Sequence, residues 1–177
     1  MNIDFENIEY LKSGNHKQKL AYATLTKHKV LLILKQFSPI LVGTIPINID
    51  IENSDLDITC YCKDALVFKK IINDNFSSCK NFKISEQKEL EHNAIVANFN
   101  LDNFDIEIFG QNIPTKQQNA YRHMVIEYKI LIERGEEFRQ KIIELKQQGY
   151  KTEPAFGILL GLNENPYIEL LNYKTNL

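Results

Sequence analysis

Two separated stretches carry the residues best suited to chemistry. From Val42 to Ile58 the chain reads VGTIPINIDIENSDLDI: an apolar run ending in Gly43-Thr44, ten intervening residues, then Asp55-Leu56-Asp57-Ile58. Glycine lets backbone approach an anionic ligand closely, and turn amides that open a short helix donate to phosphate oxygens. Thr44 adds a hydroxyl. In a strand, side chains alternate faces, so Asp55 and Asp57 project one way and Leu56, Ile58 and Cys60 the other. Their Cα atoms then stand about 7 Å apart, at roughly 3.3 Å of rise per residue. Mg²⁺ prefers carboxylate and phosphate oxygens, and two such carboxylates can bracket ions about 3.5–4 Å apart. The pattern is that of a site for a triphosphate and its metals.

A third carboxylate is expected from a neighbouring strand. AIVANFNLDNFDIEIFG holds two alternating apolar runs around Asp102-Asn103, a hairpin signal without the usual glycine. In the second run Phe104, Ile106 and Ile108 share one face, Asp105 and Glu107 the other. Glu107 is the preferred third ligand, and a different strand register would promote Asp105.

Other residues are candidates by position. Ser54 either orients Asp55 or caps the turn, and Asp50, Glu52 and Asn53 read as solvated loop residues. Between Gln111 and His123 the chain is polar and aromatic, and Gln118, Asn119, Arg122 and His123 are candidates to line a cleft beside the carboxylates. Arg122 suits bidentate bonds to a phosphate, and His123 can hydrogen-bond a base or acceptor. Lys151 and Arg139 could reach a triphosphate, but nothing in the sequence distinguishes them from solvated bases. Glu153, in KTEPAF, reads as a cap for a helix opened at Pro154.

The elements that position these groups follow from periodicity. Residues from His16 to Phe37 are predicted helical, in two pieces, with Leu20, Ala23, Thr24, Leu31 and Leu34 on the inner face; Pro39 ends them. Strands are predicted over Ile40–Gly43, Leu56–Tyr61, Asn81–Gln87 (polar, at an edge), Ala94–Leu101 and Phe104–Phe109. Asp64 caps a helix carrying Leu66, Phe68, Ile71 and Ile72. Thr115–Gln148 is helical, divided at Gly135, with Met124, Tyr128, Leu131 and Ile132 on one stripe and Phe138, Ile142 and Leu145 on another. Short helices over Glu153–Leu160 and Pro166–Leu171 close the chain.

The match of Val42, Gly43, Thr44, Asp55, Leu56, Asp57, Ile58 and Glu107 to an apolar-Gly-Gly/Ser segment, a gap of about ten residues, an Asp-apolar-Asp/Glu-apolar strand and a downstream carboxylate resembles the nucleotidyltransferase superfamily, which includes DNA polymerase beta and the minimal nucleotidyltransferases. Thr44 departs from the usual Ser or Gly but keeps the hydroxyl. The wider chain, through FDIEIFGQNIPTKQQNAYRHMVIEY, GEEFRQKIIELKQQGYKTEPAF and LLGL, also resembles a bacterial domain family of unknown function placed in that superfamily, from about Tyr10 to about Leu171. The expected fold is α+β: a nucleotidyltransferase-like mixed β-sheet backed by helices, in one domain over residues 1–177. Residues 1–110 form the sheet core with the acidic site, and 111–177 a helical portion packed on it.

Composition agrees. The 177 residues, 44% apolar and 25% charged, can bury roughly 70% of the unfolded surface. The longest apolar runs, VLLIL and GILLGL, are too short to span a bilayer. MNIDFENIEY lacks a basic segment before an apolar stretch, so the expectation is a cytoplasmic protein. Cys60, Cys62 and Cys79 have no zinc-type spacing, and Cys60 and Cys62 read as small buried side chains. The net charge is −2 and the 21 basic residues are dispersed, which favours a small-molecule or protein acceptor over a long nucleic acid. A homodimer that completes the cleft is compatible with the chain.

The resemblance therefore implies a Mg²⁺ (or Mn²⁺) dependent nucleotidyltransferase that moves a nucleoside monophosphate from a nucleoside triphosphate to a hydroxyl acceptor. Asp55 and Asp57 would bind one metal, Asp57 and Glu107 the second, and Gly43 and Thr44 the outer phosphates. The alternative is a catalytically inactive nucleotide-binding or regulatory module of the same fold.

Overall fold

The computed structural model describes residues 3–88 and 93–175. Its frame is a five-stranded mixed sheet in the order β1-β2-β5-β4-β3, made of β1 (Ile40–Val42), β2 (Leu56–Tyr61), β3 (Lys80–Gln87), β4 (Ala94–Leu101) and β5 (Phe104–Gln111). The central pair, β2 and β5, is parallel and places Asp57 opposite Glu107. The other pairs are antiparallel, with Val42 opposite Asp57 and Asn98 opposite Glu107. The polar strand β3 lies at the edge, as expected.

Local chemistry sets the ends of these elements. Helix α1 (His16–Lys27) opens with a capping box, Asn15 accepting from the Gln18 amide and Gln18 returning the bond to the Asn15 amide. The Asp64 carboxylate accepts from the Leu66 and Val67 amides to start α3 (Ala65–Phe76). The hairpin between β4 and β5 turns at Asp102 with φ 49°, a left-handed conformation that Asp tolerates where most residues do not. Its carboxylate also accepts from Lys27 and His28, tying the turn to the end of α1.

One face of the sheet is closed by α1, α2 (Val30–Ile33) and α3. There Leu41, Leu56, Ile58, Ile106, Ile108 and Phe99 pack with Leu25, Val30, Leu34, Phe68 and Ile72. Helix α1 buries Ala21, Thr24 and Leu25; Thr24 is on the expected inner face, whereas Leu20 and Ala23 are exposed. Leu66 and Ile132 are likewise exposed; each lies at the margin of an apolar stripe that its helix does not turn fully inward.

The opposite face is only partly covered. Helix α4 (Asn119–Gln147), α5 (Thr152–Leu160) and α6 (Pro166–Leu171) pack on Ile40 and Val42 of β1 and on Ile47 and Ile49 of the following loop. Gly135 breaks α4 with φ 79°, ψ −171°, a backbone region that favours glycine, so the two halves of the long helical segment diverge as the sequence indicates. This arrangement leaves β2 and β5 facing a cavity instead of a helix. Among the described residues no helix is long and apolar enough to cross a membrane.

Candidate active site

The cavity measures about 920 Å³ and lies between the uncovered sheet face and the helices α4 and α5. Gly43, Thr44, Ser54, Asp55, Asp57 and Glu107 all line it. Strand alternation turns Asp57 and Thr59 of β2 toward it, and the parallel register sets Glu107 of β5 directly beside Asp57. Glu107 accepts a hydrogen bond of 3.1 Å from the Asn98 side chain. Asp105 is exposed, pairs with Asn100 and is not a lining residue. Of the two sequence candidates, Glu107 is the one in the cavity.

Gly43 has a specific reason to be glycine. Its φ is +83°, and a Cβ there would lie 2.7 Å from Asp57 Oδ2. A side chain would be strained and would collide with the carboxylate. Thr44 Oγ1 lies 3.1 Å from Ser54 Oγ, and Ser54 Oγ accepts from the Ile51 amide. Ser54 thus closes the loop on itself beside Asp55.

Glu52 and Asn53 of that loop are exposed as expected and Asp50 is half-buried, while its isoleucines are a fixed part of the frame. Ile45, Ile47 and Ile49 are each at most 2% exposed, and its carbonyls are held from two sides. Gln18 donates to Ile45 O at 2.8 Å and Lys17 to Ile51 O at 2.6 Å. From α4, Arg139 donates to Ile47 O at 2.6 Å and Lys146 to Ile49 O at 2.8 Å. Arg139 therefore serves the loop backbone. The alternating INIDI run was the available sequence signal for this burial.

The polar segment before α4 contributes as a wall. Gln118 accepts from Thr59 and donates to Cys60 O and Ile113 O at 2.9 and 2.8 Å, which pins the start of α4 to β2. Gln118, Asn119, His123 and Lys151 line the cavity. Arg122 does not: it is exposed, bonds Asn119 and faces away. One step along a helix rotates a side chain by about 100°, so His123 and its neighbour cannot share a face. Glu153 provides no cap; it lies in the first turn of α5, after the N-cap Lys151, and enters the cavity.

Three further charged residues were not singled out as cavity residues by the sequence reading: Glu127, Lys146 and, in that role, Glu153. The spacing of His123 and Glu127, four apart on a helix, was the signal for the first. Lys146, 7% exposed, follows Ile142 and Leu145 on an inward stripe and carried no distinguishing mark.

The cavity is rich in carboxylates. Five carboxylates (Asp55, Asp57, Glu107, Glu127, Glu153) face two ammonium groups (Lys146, Lys151) around one cavity. Burial, then the Asp55 and Glu107 carboxylates, push the Asp57 carboxyl up to about 7, with Lys146 opposing. Burial and Glu153 push Glu127 up to about 8. Burial lowers Lys146 to about 8, against the pull of Glu127 and other acids, and it lowers His123. Carboxylates crowded to this degree fit a hard divalent cation, which would restore their charged forms.

A sheet of this order, with acidic side chains on its two central strands, beside a glycine bend, defines the nucleotidyltransferase fold, and solved structures agree. The chain is similar to the Cid1 poly(U) polymerase bound to MgGTP (TM-score 0.55, 12% identity, 78% of this chain and 46% of that one). It is similar to the same polymerase in a MgATP complex (TM-score 0.58, 12% identity, 86% and 53%). It is also similar to a cytoplasmic RNA terminal U-transferase (TM-score 0.53, 16% identity, 72% and 38%). It spans about half or less of the length of these relatives. The chain belongs to the family described as Domain of unknown function (DUF4269), which matches residues 23–173. No curated protein matches it.

Proposed function

We propose that this chain is a divalent-metal-dependent nucleotidyltransferase that moves a nucleoside monophosphate from a nucleoside triphosphate to a hydroxyl acceptor. The observation that carries this reading is the pairing of Asp57 with Glu107 on parallel neighbours, opening with Asp55 and the Gly43 bend into one cavity. Excess carboxylate over ammonium would repel a bare triphosphate, so the site calls for metal as well as nucleotide.

Asp55, Asp57 and Glu107 would hold Mg²⁺ or Mn²⁺, which when bound neutralises the triphosphate and lowers the pKa of the attacking hydroxyl. Gly43 and Thr44 receive the outer phosphates through a close backbone and a hydroxyl. Lys146 and Lys151 add positive charge along the helical wall. Thr59 and Gln118 fix that wall against β2, so the reacting groups are positioned without reorganisation. The acceptor oxygen attacks the α-phosphorus and the bond to the bridging oxygen breaks. Pyrophosphate departs and the hydroxyl proton is lost to solvent. The dispersed basic residues favour a small molecule or protein as acceptor over a long nucleic acid.

The test uses α-labelled and γ-labelled triphosphates with Mg²⁺ or Mn²⁺. Water can replace the missing acceptor, so release of labelled monophosphate and intact pyrophosphate is expected from wild type and lost in Asp57→Asn. Triphosphate binding without any such release overturns the enzyme in favour of a nucleotide-binding module.

A further inference from the structure

The cavity has a second cluster of groups of metal-ligand type, on the helical wall. One ring nitrogen of His123 and one carboxylate oxygen from each of Glu127 and Glu153 all lie within 4.8 Å of one another. His123 and Glu127 are one helical turn apart and share a face of α4, and Glu153 enters from the first turn of α5. All three line the cavity.

One of the three is left without a partner. His123 is 8% exposed, and its Nδ1 is buried without a hydrogen-bond partner. Glu127 is 4% exposed and feels the Glu153 carboxylate and, opposing it, the Lys146 ammonium. A buried ring nitrogen left without a partner is costly, and a bound ligand would satisfy it. The Lys146 ammonium donates to Ile49 O and is shared among Glu127 first, then Asp50, Asp55 and Glu153, one cation among four carboxylates. The Tyr167 ring packs edge-on to His123. A divalent cation would meet the imidazole and both carboxylates together.

From this arrangement we infer that His123, Glu127 and Glu153 form a second metal site, for a first-row transition cation of the zinc or manganese type, separate from the sheet carboxylates. The imidazole decides the class of metal. Mg²⁺ and Ca²⁺ favour all-oxygen sets, whereas an imidazole with carboxylates suits Zn²⁺, Mn²⁺ or Fe²⁺. Three protein ligands facing a cavity leave a coordination position open to a molecule inside it. Lys146 interacts with members of both acidic groups. The inference does not depend on nucleotidyl transfer.

The test is zinc binding by the full chain, stripped of metal and titrated with zinc chloride alone, read by calorimetry and by bound metal per protein. Wild type is expected to take one tight equivalent. Affinity falls at least about 100-fold in His123→Ala and in Glu153→Gln, since loss of a ligand exceeds the 10- to 100-fold typical of an outer-sphere change. It is kept in Asp57→Asn. Glu153 is only half buried and makes no capping bond, so Glu153→Gln reports even where His123→Ala fails to fold. Absence of tight zinc in wild type overturns the inference, as does binding that survives Glu153→Gln or disappears in Asp57→Asn. Tight zinc without release of pyrophosphate sinks the transferase reading alone.

Discussion

Replacing Asp57 with asparagine should make the metal-free protein more stable, and only above a definite pH. The Asp57 carboxyl ionises at 3.8 when unperturbed and at about 7 in the fold. Between those values the folded state holds a proton that the unfolded chain has released. Wild-type stability from this group is therefore fully present below 3.8, declines as pH rises, and is lost above about 7. At about 1.4 kcal/mol for each tenfold change in proton affinity, the full loss is about 4 kcal/mol. Asp57 sits at the wall of an open cavity and is partly solvated, so about 2–3 kcal/mol is the expected share. Asparagine carries no such charge. In chelator, unfolding midpoints of wild type and Asp57→Asn should coincide near pH 4 and diverge by about 5–10 °C near pH 8, the variant higher. Mg²⁺ with a non-hydrolysable triphosphate should close that gap by raising wild type, by about 2.7 kcal/mol at a hundredfold excess over Kd. Parallel pH curves in chelator would refute the crowding of three carboxylates around one buried position.

Gly43→Ala should cost about 1–3 kcal/mol in urea unfolding, because it combines a strained positive φ with a Cβ against the Asp57 carboxylate. Glu107→Gln should lower pyrophosphate release at least about 100-fold, as loss of a charge-stabilising group does. Asp105→Asn should stay within about twofold, as a surface substitution does; equal effects at the two positions would contradict the register. Arg122→Ala should leave the half-saturating triphosphate concentration within about twofold of wild type, because its side chain lies outside the cavity. Lys146→Met should destabilise by about 2–4 kcal/mol in chemical unfolding, since it strands the Ile49 carbonyl and buried Glu127.

Much of this molecule is written in short-range patterns. The alternation through Asp55-Leu56-Asp57-Ile58 put both carboxylates on the face opposite Leu56 and Ile58, and the structure has them so. Asp64 as a cap, Asp102-Asn103 as a turn and Pro166 as the start of the last helix were all readable. Each depends only on neighbours along the chain, where backbone geometry fixes a period of two or 3.6 residues. Margins were less legible: that α1 buries Ala21 and not Leu20 is decided by what the helix packs against.

Tertiary structure decided which distant residues meet. Whether Asp105 or Glu107 stands beside Asp57 depends on the register of β5 against β2, to which Asn98 and Val42 also contribute. Local sequence favoured Glu107 without setting that register. Burial of Ile45, Ile47 and Ile49 required carbonyl partners from both α1 and α4. Glu127, Lys146 and Glu153 are ordinary charged residues by local context, and they face the carboxylates only because α4 and α5 pack across β1. A backbone period extends a few residues, whereas the juxtaposition of two elements is set by the sum of many contacts between them. The sequence alone thus determined the elements and the face each acid takes; packing alone determined the cavity they share.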